Sequence, residues 1–251
     1  MKNQSIVRGW IAAAAIVVPL MLVGARAHAE ITLYSQPPVF PTSSGLFAWT
    51  SDTDTTPSGS GAIYHTFDDF DLASSGTVDA VTFQGFNFDN NTLGADSQPT
   101  SFTVDFSTDN GGVPGTVLST DTVSYTSSVA GTTDFFGNSQ TETVYNYAAT
   151  INPVDLAGGT KYWVSIIGND PLPDLFTWSQ GTGGDGTSYQ EDFHDSNSGS
   201  RITDRAFSLL GSVPEPAPTT AVGLGVLLLG TLLLKKRQDV RRQAEGRTDQ
   251  I

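Results

Sequence analysis

Apolar and polar positions alternate with a period of two in several stretches of the chain's middle. Phe102, Val104 and Phe106 are separated by Thr103 and Asp105, and Tyr145, Tyr147, Ala149 and Ile151 are spaced in the same way. Successive side chains of a strand point to opposite faces, so this spacing predicts strands with one buried face. Tyr162 to Ile167 is interrupted only by Ser165. It predicts a central strand buried on both faces, with Trp163 in the core. Val81-Thr82-Phe83 and Phe86-Asn87-Phe88 flank Gly85, where a bulge or bend is expected. Ala206 to Leu210 makes a last strand. Turn residues separate these runs, as in Asp109-Asn110-Gly111-Gly112 and Ala157-Gly158-Gly159-Thr160. Ser179 to Ser200 is rich in Gly, Ser and Asp and is expected to be a long loop. No stretch carries three turns of amphipathic helix. Many short strands with Gly-rich turns predict an all-β fold, an antiparallel β-sandwich of jelly-roll type.

The two ends have a different pattern. Lys2 and Arg8 precede an apolar run from Trp10 to Ala25, and Ala27-His28-Ala29 follows. This is the plan of a secretory signal peptide, with Ala27 and Ala29 at the −3 and −1 positions and cleavage before Glu30. At the other end, Val213-Pro214-Glu215-Pro216-Ala217-Pro218 precedes an apolar run reaching Leu234, and Lys235-Lys236-Arg237 closes it. From Thr219 the run has 16 residues, or ~24 Å of helix at ~1.5 Å per residue. That is slightly short for a bilayer, a deficit that local thinning and snorkelling by the lysines would cover. The basic cluster, continued by Arg241 and Arg242, is expected to stay in the cytoplasm. The chain therefore divides into a signal peptide (1–29), an ectodomain (30–212), a sorting and anchor segment (213–242) and a cytoplasmic tail (243–251).

The C-terminal arrangement resembles the PEP-CTERM sorting signal of exosortase substrates. The motif at Val213, Pro214, Glu215 and Pro216, the glycine-containing apolar run and the basic end occur in the family's order. The resemblance implies recognition by a membrane-embedded, transpeptidase-like exosortase, removal of the tail, and delivery to the cell surface or an exopolysaccharide matrix. Residues 238–251 extend beyond the few basic residues usual in the family. A looser resemblance to ectodomains that accompany such tails rests on Asp109–Gly115, Gly159–Trp163 and Ala206–Gly211. Those motifs describe turns and core strands and imply no activity. The partners implied are the secretion translocase, signal peptidase, the exosortase-type enzyme and exopolysaccharide.

Charge narrows the function classes. The whole chain carries −14, but residues 30–212 hold only Lys161, Arg201 and Arg205 against 22 acidic residues, a net −19. Such a surface repels nucleic acid and anionic lipid and tolerates divalent cations and neutral sugars. With no cysteine in the chain, thiol catalysis, Cys-ligated zinc and iron–sulfur clusters are excluded.

No G-x-S-x-G elbow and no H-E-x-x-H motif occurs. After signal removal His65 and His194 are the only imidazoles, each beside carboxylates. A hydrolase acid pair cannot be fixed by spacing alone. A structural Ca²⁺ would use Asp/Asn loops. Asp105, Asp109 and Asn110 are the leading set, beside Asp68-Asp69-Phe70-Asp71, Asp89-Asn90-Asn91, and Asp185 near Glu191-Asp192. Trp49, Trp178 and Tyr189 lie in polar, Gly-rich sequence and are candidate stacking platforms for a glycan. The expectation is a non-enzymatic, exported surface or matrix protein, with no cofactor beyond that Ca²⁺. The alternative is a carbohydrate-binding module, and a surface hydrolase comes last.

Overall fold

The computed structural model describes residues 30–40, 48–55, 61–89, 97–134, 141–170, 174–193 and 197–214. The signal segment with Ala27 and Ala29, the tail from Glu215 onward and His194 lie outside them. Every regular element among the described residues is a strand. They are β1 (Ile31–Gln36), β2 (Ala48–Thr50), β3 (Asp52–Asp54), β4 (Gly61–Asp71), β5 (Gly76–Asp89), β6 (Ser101–Asp109), β7 (Pro114–Val123), β8 (Thr126–Thr133), β9 (Glu142–Leu156), β10 (Lys161–Asp170), β11 (Asp174–Ser179), β12 (Thr187–Asp192), β13 (Gly199–Ile202) and β14 (Phe207–Ser212).

They form two seven-stranded sheets. In the first, long β5 is the spine. β9 and then β8 lie along one edge. On the other edge β14 and β11 sit end to end, β14 along Thr77–Phe83 and β11 along Gly85–Asp89, backed by β1 and β2. The second sheet runs β13, β12, β4, β10, β6, β7, with β3 wedged between β4 and β10. Pairing is antiparallel throughout except between β3 and β10.

The two sheets close on one aromatic core. The alternation read in β6 and β9 points Phe102, Val104, Phe106, Tyr145, Tyr147 and Ala149 inward. Phe83 of the first sheet meets Phe102 of the second edge to face, centroids 4.7 Å apart, and Phe102 meets Phe176 at 4.9 Å. Each such buried ring stabilises by ~1.5–3 kcal/mol, and each good ring pair by ~0.5–1.5 kcal/mol more.

Three expectations change. No register shift falls at Gly85, where the ladder with β9 ends and the ladder with β11 begins; the β5–β9 shift lies between Val78 and Ala80. Glycine is required at 85 because the Phe176 ring lies 2.4 Å from where a Cβ would stand. Trp163 is buried but belongs to the outer face of the second sheet, where it meets Tyr189 at 6.4 Å. The interval Ser179–Ser200 contains β12 and the start of β13 rather than one long loop. The inward positions of β12 are Ser188 and Gln190, both buried and polar. Gln190 Nε2 donates to the Thr50 carbonyl at 2.7 Å and to Thr66 Oγ1 at 3.2 Å.

Candidate functional site

The outward face of the first sheet has small polar side chains where its inward face has rings. One row crosses five strands in register: Ser35, Ser208, Thr82, Ala148 and Thr126. The next row is Gln84, Asn146 and Ser128. Such short side chains leave a hollow of about 320 Å³ above the strands, walled also by Gln36 and Pro38. Thr82, Thr126 and Ala148 are shared with a second hollow of about 480 Å³ that extends to Glu30, so the two make one groove. An apolar ridge of Phe40, Phe86 and Val144 packs beside it.

The floor is neutral in a strongly acidic domain. No Asp, Glu, Lys, Arg or His lines the first hollow. Ser35 and Ser208 hydroxyls bond at 2.8 Å. Gln84 Nε2 donates to Asn146 Oδ1 at 3.0 Å, while Gln84 Oε1 is buried with no partner. An unsatisfied buried acceptor costs ~1–3 kcal/mol. The described lining can exchange hydrogen bonds with hydroxyls and amides.

The sequence candidates lie elsewhere. Trp178 is wholly buried between the sheets, with its indole N–H donated to the Ala206 carbonyl at 2.9 Å, and offers no stacking face. Trp49 is half-buried, donates to the Ile202 carbonyl at 3.2 Å, and has the Arg201 guanidinium 5.2 Å from its ring centroid, so a cation already covers it. Tyr189 is half-buried on the outer face of the second sheet. Trp49 and Trp178 are cross-strand partners in the β2–β11 pair, but Tyr189 lies in the other sheet, so the three form no shared platform.

The leading calcium set also separates. Asp105 and Asp109 share one face of β6 but stand four residues apart, ~13 Å of extended backbone. Asp109 Oδ1 accepts the Trp163 indole N–H at 2.9 Å, and its carboxylate accepts the N–H groups of Gly111 and Gly112. The Trp163 bond, ahead of the turn amides, holds its pKa below the usual carboxylate value. Asn110 is exposed in that turn. Burial raises Asp105.

Asn90 and Asn91 lie outside the described residues, and in the remaining loops several carboxylates are committed. Asp68 accepts the Arg205 backbone N–H, Asp69 pairs with Lys161 at 2.5 Å, and Asp185 caps Thr187 at 2.9 Å. His65 packs on Phe193, centroids 4.9 Å apart, and burial pushes its pKa down to about 4. Val213 and Pro214 follow β14 as exposed, extended residues. No protein-family model matches the chain, and no curated protein matches it either.

The groove was not legible in the sequence. Its signal is the outward-facing set Thr82, Gln84, Asn146, Ala148, Thr126 and Ser128, which is ordinary for a solvated strand face until the register aligns it.

Proposed function

We propose that this chain is a non-enzymatic, exported surface or matrix protein, delivered by an exosortase-type system and presenting a jelly-roll-like β-sandwich outside the cytoplasm. One observation carries this reading. β1 begins at Ile31 and β14 ends at Ser212, and the two pair with Ile31 opposite Gly211. The folded unit thus fills the interval between the two expected targeting segments, and both segments leave it side by side. A precursor held at both ends by one membrane needs that geometry. The test is fractionation of the full chain in a host with an exosortase-type enzyme. The expected result is protein at the surface or in the shed matrix. Recovery only from the cytoplasm would overturn it.

A second reading, carbohydrate binding, is favoured by the neutral groove. The hydroxyl- and amide-rich walls of the first hollow suit a neutral polysaccharide strand better than a charged one. Affinity electrophoresis through neutral and uronate-containing polysaccharides tests it. Gln84→Leu is expected to abolish retardation by the neutral gel. Unchanged retardation, or none in the wild-type, would reject the groove as the site.

A further inference from the structure

At one end of the inter-sheet space the chain crosses from the first sheet to the second over a single residue, Ser51, between β2 and β3. Ser51 N–H donates to the Phe176 carbonyl at 2.9 Å, and the Ser51 carbonyl accepts Gly168 N–H at 2.8 Å. Two carboxyl groups add side-chain links across the same gap. Asp52 of β3 accepts the Phe176 backbone N–H of β11 through Oδ2 at 2.9 Å. Asp170 of β10 accepts Asn87 Nδ2 of β5 through Oδ2 at 2.7 Å. Water is excluded from these links: Asp52 is 0 % exposed, Asp170 2 % and Asn87 3 %. A Cβ at Gly168 would stand 2.9 Å from Asp52 Oδ2 and 2.3 Å from the Phe176 Cβ, so only bare backbone fits against the carboxyl group. Asp52 Oδ1 is buried with no hydrogen-bond partner.

The surroundings supply no positive charge. Asp54 of β3 and Asp174 of β11 face Asp52 together with Asp170, and Asp174 faces Asp170 as well. Tyr64 of β4 stands opposite Asp52 in register, and β5 ends at Asp89, opposite Asp174. Tyr125 and the Tyr147 of β9 lie towards Asp170. The three basic side chains among the described residues are engaged elsewhere: Lys161 with Asp69 and Asp185, Arg201 with Gln190 and the Asn197 carbonyl, and Arg205 with the carbonyls of Trp178, Ile202 and Thr203. A buried carboxylate without water or a cation is strongly unfavourable, and it takes up a proton instead. The neutral acid keeps the Phe176 N–H on Oδ2 and turns the unpartnered Oδ1 into a donor. Desolvation, against the pull of the Phe176 N–H and with repulsion from the neighbouring acids, lifts Asp52 to about 9. Desolvation likewise lifts Asp170 to about 7.

We propose that Asp52 and Asp170 are a proton-held latch between the two sheets, closed while both carboxyl groups are protonated and loosened as they ionise. Both ionise near 3.8 in ordinary surroundings, so the folded chain holds protons that the unfolded chain gives up. The latch's contribution to stability is therefore complete below that pH. It is lost as pH rises, through about 7 for Asp170 and about 9 for Asp52. Opening starts at β2 and β3, which have three residues each and which the Ser51 and Asp52 bonds hold to β11. The device does not depend on where the chain is delivered.

The test uses the purified full chain between about pH 6 and about pH 9. The melting temperature of the wild-type is expected to fall by about 5–10 °C over that range. Asparagine copies the protonated acid, with a carbonyl for the Phe176 N–H and an N–H in place of the O–H. Asp52→Asn is therefore expected to lose most of the fall and to melt above the wild-type at the alkaline end. Asp170→Asn is expected to lose a smaller part, and Asp109→Asn to keep it all. In the wild-type, hydrogen-exchange protection of the Ser51, Gly168 and Phe176 amides is expected to drop with pH relative to Val164 at the centre of β10, and in Asp52→Asn to stay level. The infrared carbonyl band of a protonated acid is expected in the wild-type-minus-Asp52→Asn difference spectrum at neutral pH. A flat wild-type profile would overturn the latch. So would a fall that survives Asp52→Asn unchanged, an Asp52→Asn protein that melts far below the wild-type at the alkaline end, or a difference spectrum without that band.

Discussion

Gly85 and Gly111 are both glycine, for opposite reasons. At Gly85 the backbone is ordinary strand, but a Cβ would meet the Phe176 ring at 2.4 Å and the Thr177 carbonyl at 2.7 Å. At Gly111 there is open space, yet φ is +69°, a conformation that costs a residue with a Cβ ~1–2 kcal/mol. Overpacking a core typically costs ~1–3 kcal/mol, and Gly85→Ala is expected near the upper end because one neighbour is backbone. Gly111→Ala is expected to cost ~1 kcal/mol. Urea denaturation of the two variants checks the order. His65 makes a residue-level expectation in pH. Its folded pKa of about 4 lies below the usual 6.5, chiefly through burial. The unfolded chain therefore takes up a proton first, and this side chain's contribution to stability is full above pH 6.5 and is lost as pH falls towards 4. The loss is ~3 kcal/mol. Imidazole proton shifts in NMR are expected to titrate below pH 5. The stability gap between wild-type and His65→Asn is expected to narrow over the same range.

At the scale of elements, the sequence was readable where apolar residues mark the buried face. β6, β9, β10 and β14 stand where the alternation puts them. Strands whose buried positions are polar were not readable. β12 buries Ser188 and Gln190, and β3 buries Asp52 and Asp54. Both look like turn sequence until their partners are seen. β7 and β8 escaped for another reason. They are edge strands with Val117, Leu118 and Val129 exposed among Ser and Thr, so no apolar period marks them. The calcium expectation met the same limit. Composition suggested a hard cation, but Asp109 was assigned to the site from a turn that its own carboxylate caps. Asp105 keeps one buried carboxylate oxygen without a hydrogen-bond partner while Asp109 is fully engaged, a difference only the fold reveals. β1 allows a direct test at this scale. It pairs only with β14, its Leu33 and Tyr34 pack on the core, and Gln36 is fully buried. A chain starting at Glu30 is expected to fold. One starting at Pro37 is expected to lose several kcal/mol, because it uncovers β14 and the Tyr34–Phe207 contact at 5.6 Å. Limited proteolysis of the two chains checks it. The proposed signal cleavage before Glu30 would leave β1 whole, with one residue in hand.

For the whole molecule, the decisive geometry is that both expected membrane segments leave the same end of an acidic domain. Between β14 and the apolar run the sequence places Pro214, Pro216 and Pro218, residues whose fixed φ and missing N–H groups favour extended backbone over helix or sheet. Val213 and Pro214 already show this, being exposed directly after the last strand. Glu215 is the only acidic residue between Arg205 and the apolar run, and in the proposed sorting it would give a membrane-embedded enzyme one distinct charge near the bilayer surface. The 16-residue run from Thr219 to Leu234 is marginal for a permanent span of ~20 residues. Under the proposed sorting it would suffice for a segment that holds the chain until it is cut, with the basic cluster from Lys235 to Arg242 stopping transfer. A permanent anchor needs the apolar run and the charges but is indifferent to the Pro-Glu-Pro residues. Replacing Pro214, Glu215 and Pro216 with alanine therefore separates the two roles without touching the fold, since β14 ends at Ser212. In a host with the sorting enzyme, the wild-type chain is expected as a shortened form released to the surface or matrix. The triple variant is expected at full length in the inner membrane, with the same melting temperature for its ectodomain. A wild-type chain that stays full length and membrane-held in that host, or a variant processed as the wild-type is, would make the segment an anchor and nothing more.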